Sequence, residues 1–244
     1  MTPRITTAVA LRVLTQLRRD SRTLVMLLIL PCLLMSLLWW MFEETGQGFD
    51  PLGPALLALF PFIVMFLVTS VTTLRERSSG TLERLLTMPM SKADFLAGYA
   101  IAFGLVAAAQ SVLAVALCVW LLDLRVEGPV SLLVVVAVAD AVLGAALGLF
   151  VSAFARTEFQ AVQFMPAVVF PQILLCGLFV PRPLLPGALE AVSGVLPLSY
   201  AVDAMQSVAT DSSASGVWND VAVVLVFAAA ALALGAATLR RRTA

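Results

Sequence analysis

The chain is 244 residues long, 61% of them hydrophobic and 12% charged, with a mean hydropathy of +1.02. A soluble globular domain is nearer roughly 45–50% apolar, and so few charges leave no hydrophilic coat for a soluble body of this size. Fifteen basic residues balance fifteen acidic ones, so the net charge names no acidic or basic partner, nucleic acid included; with no histidine, the commonest general base and a common zinc ligand are missing.

The first 22 residues precede any long apolar block. Ile5, Val9, Val13 and Leu17 recur every fourth residue, with Leu14 beside them, and Arg4, Arg12, Gln16 and Arg19 lie off that stripe. The pattern predicts an amphipathic helix lying on a membrane face, its arginines near anionic headgroups. A crossing helix needs about 20 mainly apolar residues. On that measure the sequence predicts six spans, at 23–42, 54–74, 95–122, 129–154, 159–180 and 220–239. The first is too long for the apolar region of a signal peptide, and Glu43-Glu44 follows it without a small-residue cleavage site, so it reads as a retained span. Cys32, Cys118 and Cys176 all fall in apolar blocks and read as buried small hydrophobes, not a disulfide framework.

Residues 181–219 lie between the fifth and sixth spans. Leu185, Leu189, Val192 and Leu196 recur at helical spacing, as do Ala201, Ala204, Met205 and Val208 after Pro197. This predicts two short amphipathic helices broken by a proline, dipping into the bilayer without crossing it. The alternative, one further span, would move the C-terminus to the other side, against the charges.

Thirteen of the fifteen Lys and Arg residues fall before the first span, between the second and third, between the fourth and fifth, or after the sixth. Arg125 and Arg182 alone fall on the other side. Cytoplasmic loops carry the excess of Lys and Arg. The bias therefore places both termini in the cytoplasm and requires an even number of crossings.

The loop at 75–91 is dense in charge in a chain poor in it. It runs Arg75-Glu76-Arg77-Ser78-Ser79-Gly80-Thr81-Leu82-Glu83-Arg84-Leu85-Leu86-Thr87-Met88-Pro89-Met90-Ser91. Thr81 can cap a short helix with Leu82, Leu85 and Leu86 on one face, and Pro89 stops it. Ser91 with Asp94 forms a weak capping box for the next span. A short helix parallel to the membrane, apolar on one face and flanked by charge, suits a cleft on a cytosolic partner.

This segment resembles the coupling-helix motif of ABC-2 type transporter permeases, in particular the drug-export branch that includes the daunorubicin-resistance permeases. The likeness extends over essentially the whole chain: the amphipathic N-terminal helix, six spans, the long segment before the sixth, and a Pro-x-x-Tyr element at Pro197 and Tyr200. Met88-Pro89 stands where the family usually has Thr-Pro. The resemblance implies an all-α membrane domain of the type V ABC exporter fold in a bacterial cell membrane. It further implies pairing with a second permease as a homodimer or heterodimer, and two cytosolic ATPase subunits whose closure passes through the coupling helix. On that resemblance Glu76, Gly80, Thr81, Leu82, Glu83, Leu85, Leu86 and Pro89 are the coupling residues, and Arg75, Arg77 and Arg84 orient the contact. ATP and Mg belong to the partner, because the single lysine, Lys92, sits in no glycine-rich phosphate loop.

Inside the spans, Asp140 is the one deep acid. A charge there costs at least ~2.5–3.5 kcal/mol, so Asp140 is either a functional residue on a translocation path or a hydrogen-bonded structural acid. Gln110, Gln163 and Gln172, with Gln160 near them, are weaker path candidates, since glutamines also bridge helices. Pro166 and Pro171 predict a kinked fifth span, and Gly144 and Gly148 a close helix contact. Three cargo or mechanism classes stay open: drugs or hydrophobic small molecules, a lipid-linked glycan or other envelope component, and a secondary transporter or channel without an ATPase. The last predicts internal repeats or several intramembrane charges; the sequence carries no clear repeat.

Overall fold

A computed structural model describes residues 3–44, 46, 48–78, 92–213 and 216–238. The regular elements among them are helical: α1 (Pro3–Arg19), α2 (Ser21–Glu44), α3 (Gly53–Ser78), α4 (Lys92–Trp120), α5 (Val130–Val151) and α6 (Glu158–Leu175). A 3-10 turn at Arg182–Leu184 follows, then α7 (Gly187–Ser193), α8 (Pro197–Thr210) and α9 (Val217–Thr238).

Five of these helices are long and apolar enough to cross a membrane: α2, the Gly53–Glu76 part of α3, the Ala97–Trp120 part of α4, α5 and α9. The chain is therefore an all-helical bundle of integral-membrane type. The block expected at 159–180 is shorter than read. Its helix ends at Leu175, after 18 residues, which at 1.5 Å per residue reach about 27 Å. Pro166 and Pro171 lie inside it, and Gly177, at φ 95°, lies in the left-handed region just beyond its end.

α5 is apolar on every side and lies at the centre, against α3, α4, α8 and α9. Its closest neighbour is α3, because Gly144 and Gly148 bring the two backbones together: a Cβ at either would strike the carbonyl oxygen of Phe62 or Phe66. α2 is peripheral. It buries only Leu27, Pro31 and Met35 and leaves Val25, Met26, Ile29, Leu33, Leu37 and Trp40 exposed, the surface a membrane-embedded helix presents to acyl chains.

The α1 stripe forms as the periodicity predicts, with Val9, Ala10, Val13 and Leu17 buried. They pack in one cluster with Phe95, Tyr99 and Phe103 of α4, whose rings stack in series at centroid separations of 4.3 and 6.0 Å. The stripe is thus covered by protein along α4, while Leu11 remains exposed. α7 and α8 form where two short helices were expected, and Pro197 occupies the first turn of α8, where its missing N–H costs nothing.

The bundle has two distinct ends. One carries α1, the α5–α6 connection, the last turn of α3 and the first turn of α4. The opposite end carries the α2–α3 and α4–α5 connections and α7–α8, joined where Glu127 N and Gly128 N donate to the carbonyls of Ala209 and Val208.

Candidate functional site

Of the coupling residues expected from the sequence, Gly80, Thr81, Leu82, Glu83, Arg84, Leu85, Leu86 and Pro89 lie outside the described residues. Arg75, Glu76 and Arg77 are placed on the last turn of α3. What the structure defines are the two roots of that loop.

Glu76 is 4% exposed and turns toward α1, where Arg12 Nη2 donates to its Oε1 at 3.2 Å, with the Gln16 amide alongside. Three residues into α4, Asp94 is buried and accepts from Thr6 Oγ1 at 3.3 Å. Between these, Gly98 gives α1 its close approach to α4; a Cβ there would lie 2.6 Å from Val9 Cγ1. α1 is therefore strapped across both roots, bonded to α3 on one side and α4 on the other. Arg75 faces away and makes a bidentate pair with Glu158 at the start of α6, at 2.8 and 3.1 Å. That pairing holds the Glu158 carboxyl below its ordinary range. The α6 start is further fixed by Thr157, which accepts from Gln160 N at 3.2 Å while Gln160 Oε1 accepts from Arg156 N at 2.8 Å, a capping box displaced by one residue.

Sequence reasoning found Arg12 and Glu76 separately but not as partners, and it gave no role to Thr6 or Glu158. The one available signal was compositional: Thr6 and Arg12 are polar residues within an apolar-striped helix. Asp20, also unassigned, caps α2 by accepting from Thr23 N at 3.2 Å and from the Thr23 hydroxyl at 2.6 Å, which lowers its pKa.

The four path candidates differ in their surroundings. Pro31 has no N–H, so in α2 the Leu27 carbonyl four residues earlier lacks its helical donor. Gln110 Nε2 supplies that donor from α4 at 3.0 Å. Gln172 spends both ends of its amide structurally: Nε2 donates to Val168 O at 3.0 Å, and Oε1 accepts from Leu198 N at 3.3 Å, capping α8 from α6. Gln163 is on an exposed face of α6. Asp140 is different. It is fully buried in α5, and neither carboxylate oxygen has a hydrogen-bond partner among the described residues.

The Pro197 and Tyr200 element belongs to a network at the opposite end, centred on Arg182. Its guanidinium donates from Nε to Ser193 Oγ at 2.8 Å and from Nη1 to Asp203, and sits 5.3 Å above the Tyr200 ring centroid. Ser193 Oγ donates onward to Leu175 O at 2.9 Å, and Tyr200 Oη to Gly194 O at 2.7 Å. Burial raises the Asp203 pKa, against the lowering effect of Arg182. The network ties the 3-10 turn, α7 and α8 to the end of α6, so these pieces form one cap. Arg182 read only as a stray basic residue in the sequence, because its partners are 11 and 21 residues away.

The family model described as ABC-2 type transporter matches residues 5–209. The chain is 28% identical over 190 residues to the probable multidrug ABC transporter permease YbhR of Escherichia coli (strain K12), covering 78% of this chain and 52% of that protein. It is 24% identical over 201 residues to the linearmycin resistance permease protein LnrN of Bacillus subtilis (strain 168), covering 81% and 52%. Against the ABC transporter G family member 20 of Dictyostelium discoideum it is 26% identical over 166 residues, 68% of this chain and 23% of that protein. The chain spans about half the length of the bacterial relatives it matches. With the family match running from α1 into α8, this chain belongs to the ABC-2 type transporter family.

Proposed function

We propose that this chain is the membrane-spanning permease of an ATP-driven exporter of drugs or hydrophobic small molecules. The relatives named for multidrug transport and for linearmycin resistance support that cargo class. The observation that carries the coupling role is the loop between α3 and α4, with its Arg-Glu-Arg-x-x-Gly-Thr-Leu-Glu order and with both roots fastened to α1. Its residues from Gly80 to Pro89 dock in a cleft of a cytosolic ATPase, which binds ATP and Mg, and a second permease completes the pore.

In this reading α6 is the fifth of six crossings, extended by residues 176–180 to bilayer thickness. α7 and α8 form a re-entrant cap, and α1 lies at the cytoplasmic interface. Both termini face the cytoplasm of a bacterial cell, as the thirteen-to-two distribution of basic residues supports. Asp140 belongs to the translocation path.

The test is co-purification with the cognate ATPase and cargo-stimulated ATP hydrolysis in lipid. Gly80→Pro and Glu83→Ala should abolish cargo stimulation while the permease still inserts. An ATPase that never associates, or stimulation unchanged in both variants, overturns the assignment.

A further inference from the structure

Asp20, in the one-residue break between α1 and α2, lines a recess of about 60 Å³ among α1, the start of α2, the end of α3 and α4. That is room for roughly two waters. Its floor is apolar, made by the buried side chains of Val13, Leu17 and Phe103. Gln16, Thr23 and Thr72 give it a polar rim. Three charged side chains line it as well. Arg75 is bonded to Glu158, and Glu76 to Arg12. Asp20 joins no salt bridge among the described residues. The Thr23 N–H and hydroxyl donate to it and keep it ionised, while Arg75 and Arg22 act on it at longer range. A carboxylate has about four acceptor positions, so capping α2 leaves Asp20 able to accept from a further donor.

The recess stands at the head of an apolar track. Thr23 is followed at helical spacing by Met26, Leu30, Leu33 and Leu37, all exposed. From Met26 to Leu37 this stripe runs about 17 Å along α2, roughly one leaflet of a hydrocarbon core ~30 Å thick. Arg22, also exposed, stands beside Asp20 at the same end of the helix. A negative charge in a small recess, a cation at its edge and an apolar stripe one leaflet long are together the complement of a phospholipid with a small cationic headgroup.

We infer that this recess binds the headgroup of phosphatidylethanolamine, whose ammonium donates to Asp20 while its phosphate meets Arg22 and its acyl chains lie along Met26, Leu30, Leu33 and Leu37. The inference rests on α1 lying at a membrane interface, as read above. A primary ammonium has three N–H donors, and the Gln16 amide oxygen and the Thr72 hydroxyl flank Asp20 as further acceptors. The trimethylammonium of phosphatidylcholine has no N–H and is too bulky for a space of this size. Phosphatidylglycerol has no cation to offer, and its net negative charge is repelled by Asp20.

The experiment titrates the purified chain, stripped of lipid in detergent, with these three phospholipids carrying identical acyl chains, and counts bound lipid by native mass spectrometry. The wild type should hold phosphatidylethanolamine about tenfold more tightly than either of the others. Asp20→Asn keeps an acceptor at the cap of α2. It should bring phosphatidylethanolamine down to the affinity of phosphatidylglycerol, with the thermal midpoint of the lipid-free protein near the wild-type value. Thr72→Phe, which fills the recess from α3 and leaves the charge in place, should remove the same preference. Equal affinity of the wild type for the three lipids overturns the proposal, as does an Asp20→Asn variant that still prefers phosphatidylethanolamine. Parallel loss of all three lipids in Asp20→Asn also overturns it, because the acid then acts on the fold and not on the headgroup. None of these outcomes bears on the exporter assignment, which stands or falls with the ATPase.

Discussion

Pro31 removes one hydrogen bond from α2, and the compensation is made from a different helix, at Gln110. In hydrocarbon a bare carbonyl has no water to turn to, so the Leu27 oxygen must find a donor, and Gln110 Nε2 is it. Gln110→Leu should therefore destabilise the protein by about 1–3 kcal/mol, read as a lower thermal midpoint in detergent. Adding Pro31→Ala should recover most of that loss, since the restored backbone N–H satisfies Leu27 directly. An unchanged midpoint in Gln110→Leu would show that the carbonyl is satisfied another way. The same accounting separates the glutamines from Asp140. Gln110 and Gln172 have backbone partners that explain them, and Asp140 has none.

α1 is the element whose role changes most between sequence and structure. Its stripe is legible because periodicity is local, but what covers the stripe is not: Val9, Val13 and Leu17 face the aromatic row of α4. Arg12, read as a headgroup contact, is bonded to Glu76. The pair is asymmetric, with the glutamate side chain 5% exposed and the arginine 33%. Removing the cation thus leaves a desolvated carboxylate behind, the expensive way to break an ion pair. Arg12→Ala should cost about 1–3 kcal/mol, and Arg12→Ala combined with Glu76→Gln should cost less than the two single changes added. Additivity within about 0.5 kcal/mol in that cycle would show the residues to be independent. α1 also holds Asp94 through Thr6, so it is bonded to α4 as well as to α3.

At the scale of the molecule the two ends are fastened differently. The opposite end is bonded through the Arg182 network into one cap on α6. At the loop end α6 is fastened to α3 by the Arg75–Glu158 pair, with 57% and 50% of the two side chains exposed. Glu158 has its pKa lowered in the fold, chiefly by the Arg75 hydrogen bond. A depressed carboxylate contributes stability above its unfolded value, about 4.3 for glutamate, and loses it as pH falls through the lower folded value. Exposure keeps the contribution below about 1 kcal/mol. The thermal midpoints of wild type and Glu158→Gln should therefore differ slightly at pH 6–7 and converge below about pH 4. A difference that persists or grows in acid would mean that Glu158 acts through its shape and not its charge.

The sequence by itself determined the class of the protein, the α1 stripe, five of the six blocks it marked as spans and the break at Pro197. Each of these is a property of neighbouring residues: apolar length, a 3.6-residue period, a proline without an N–H. The tertiary structure decided what those elements meet. It ended α6 at Leu175, turned Glu76 inward onto Arg12, joined Arg182 to Asp203 and Tyr200, and spent Gln110 and Gln172 on backbone groups. Such pairings join residues far apart in the chain, and hydrogen-bonding demand inside a membrane is met wherever folding brings a donor, so no local pattern records them. Asp140 shows both sides of that division: its oddity is plain in the sequence, and only the packed bundle shows that nothing within the described residues answers its charge.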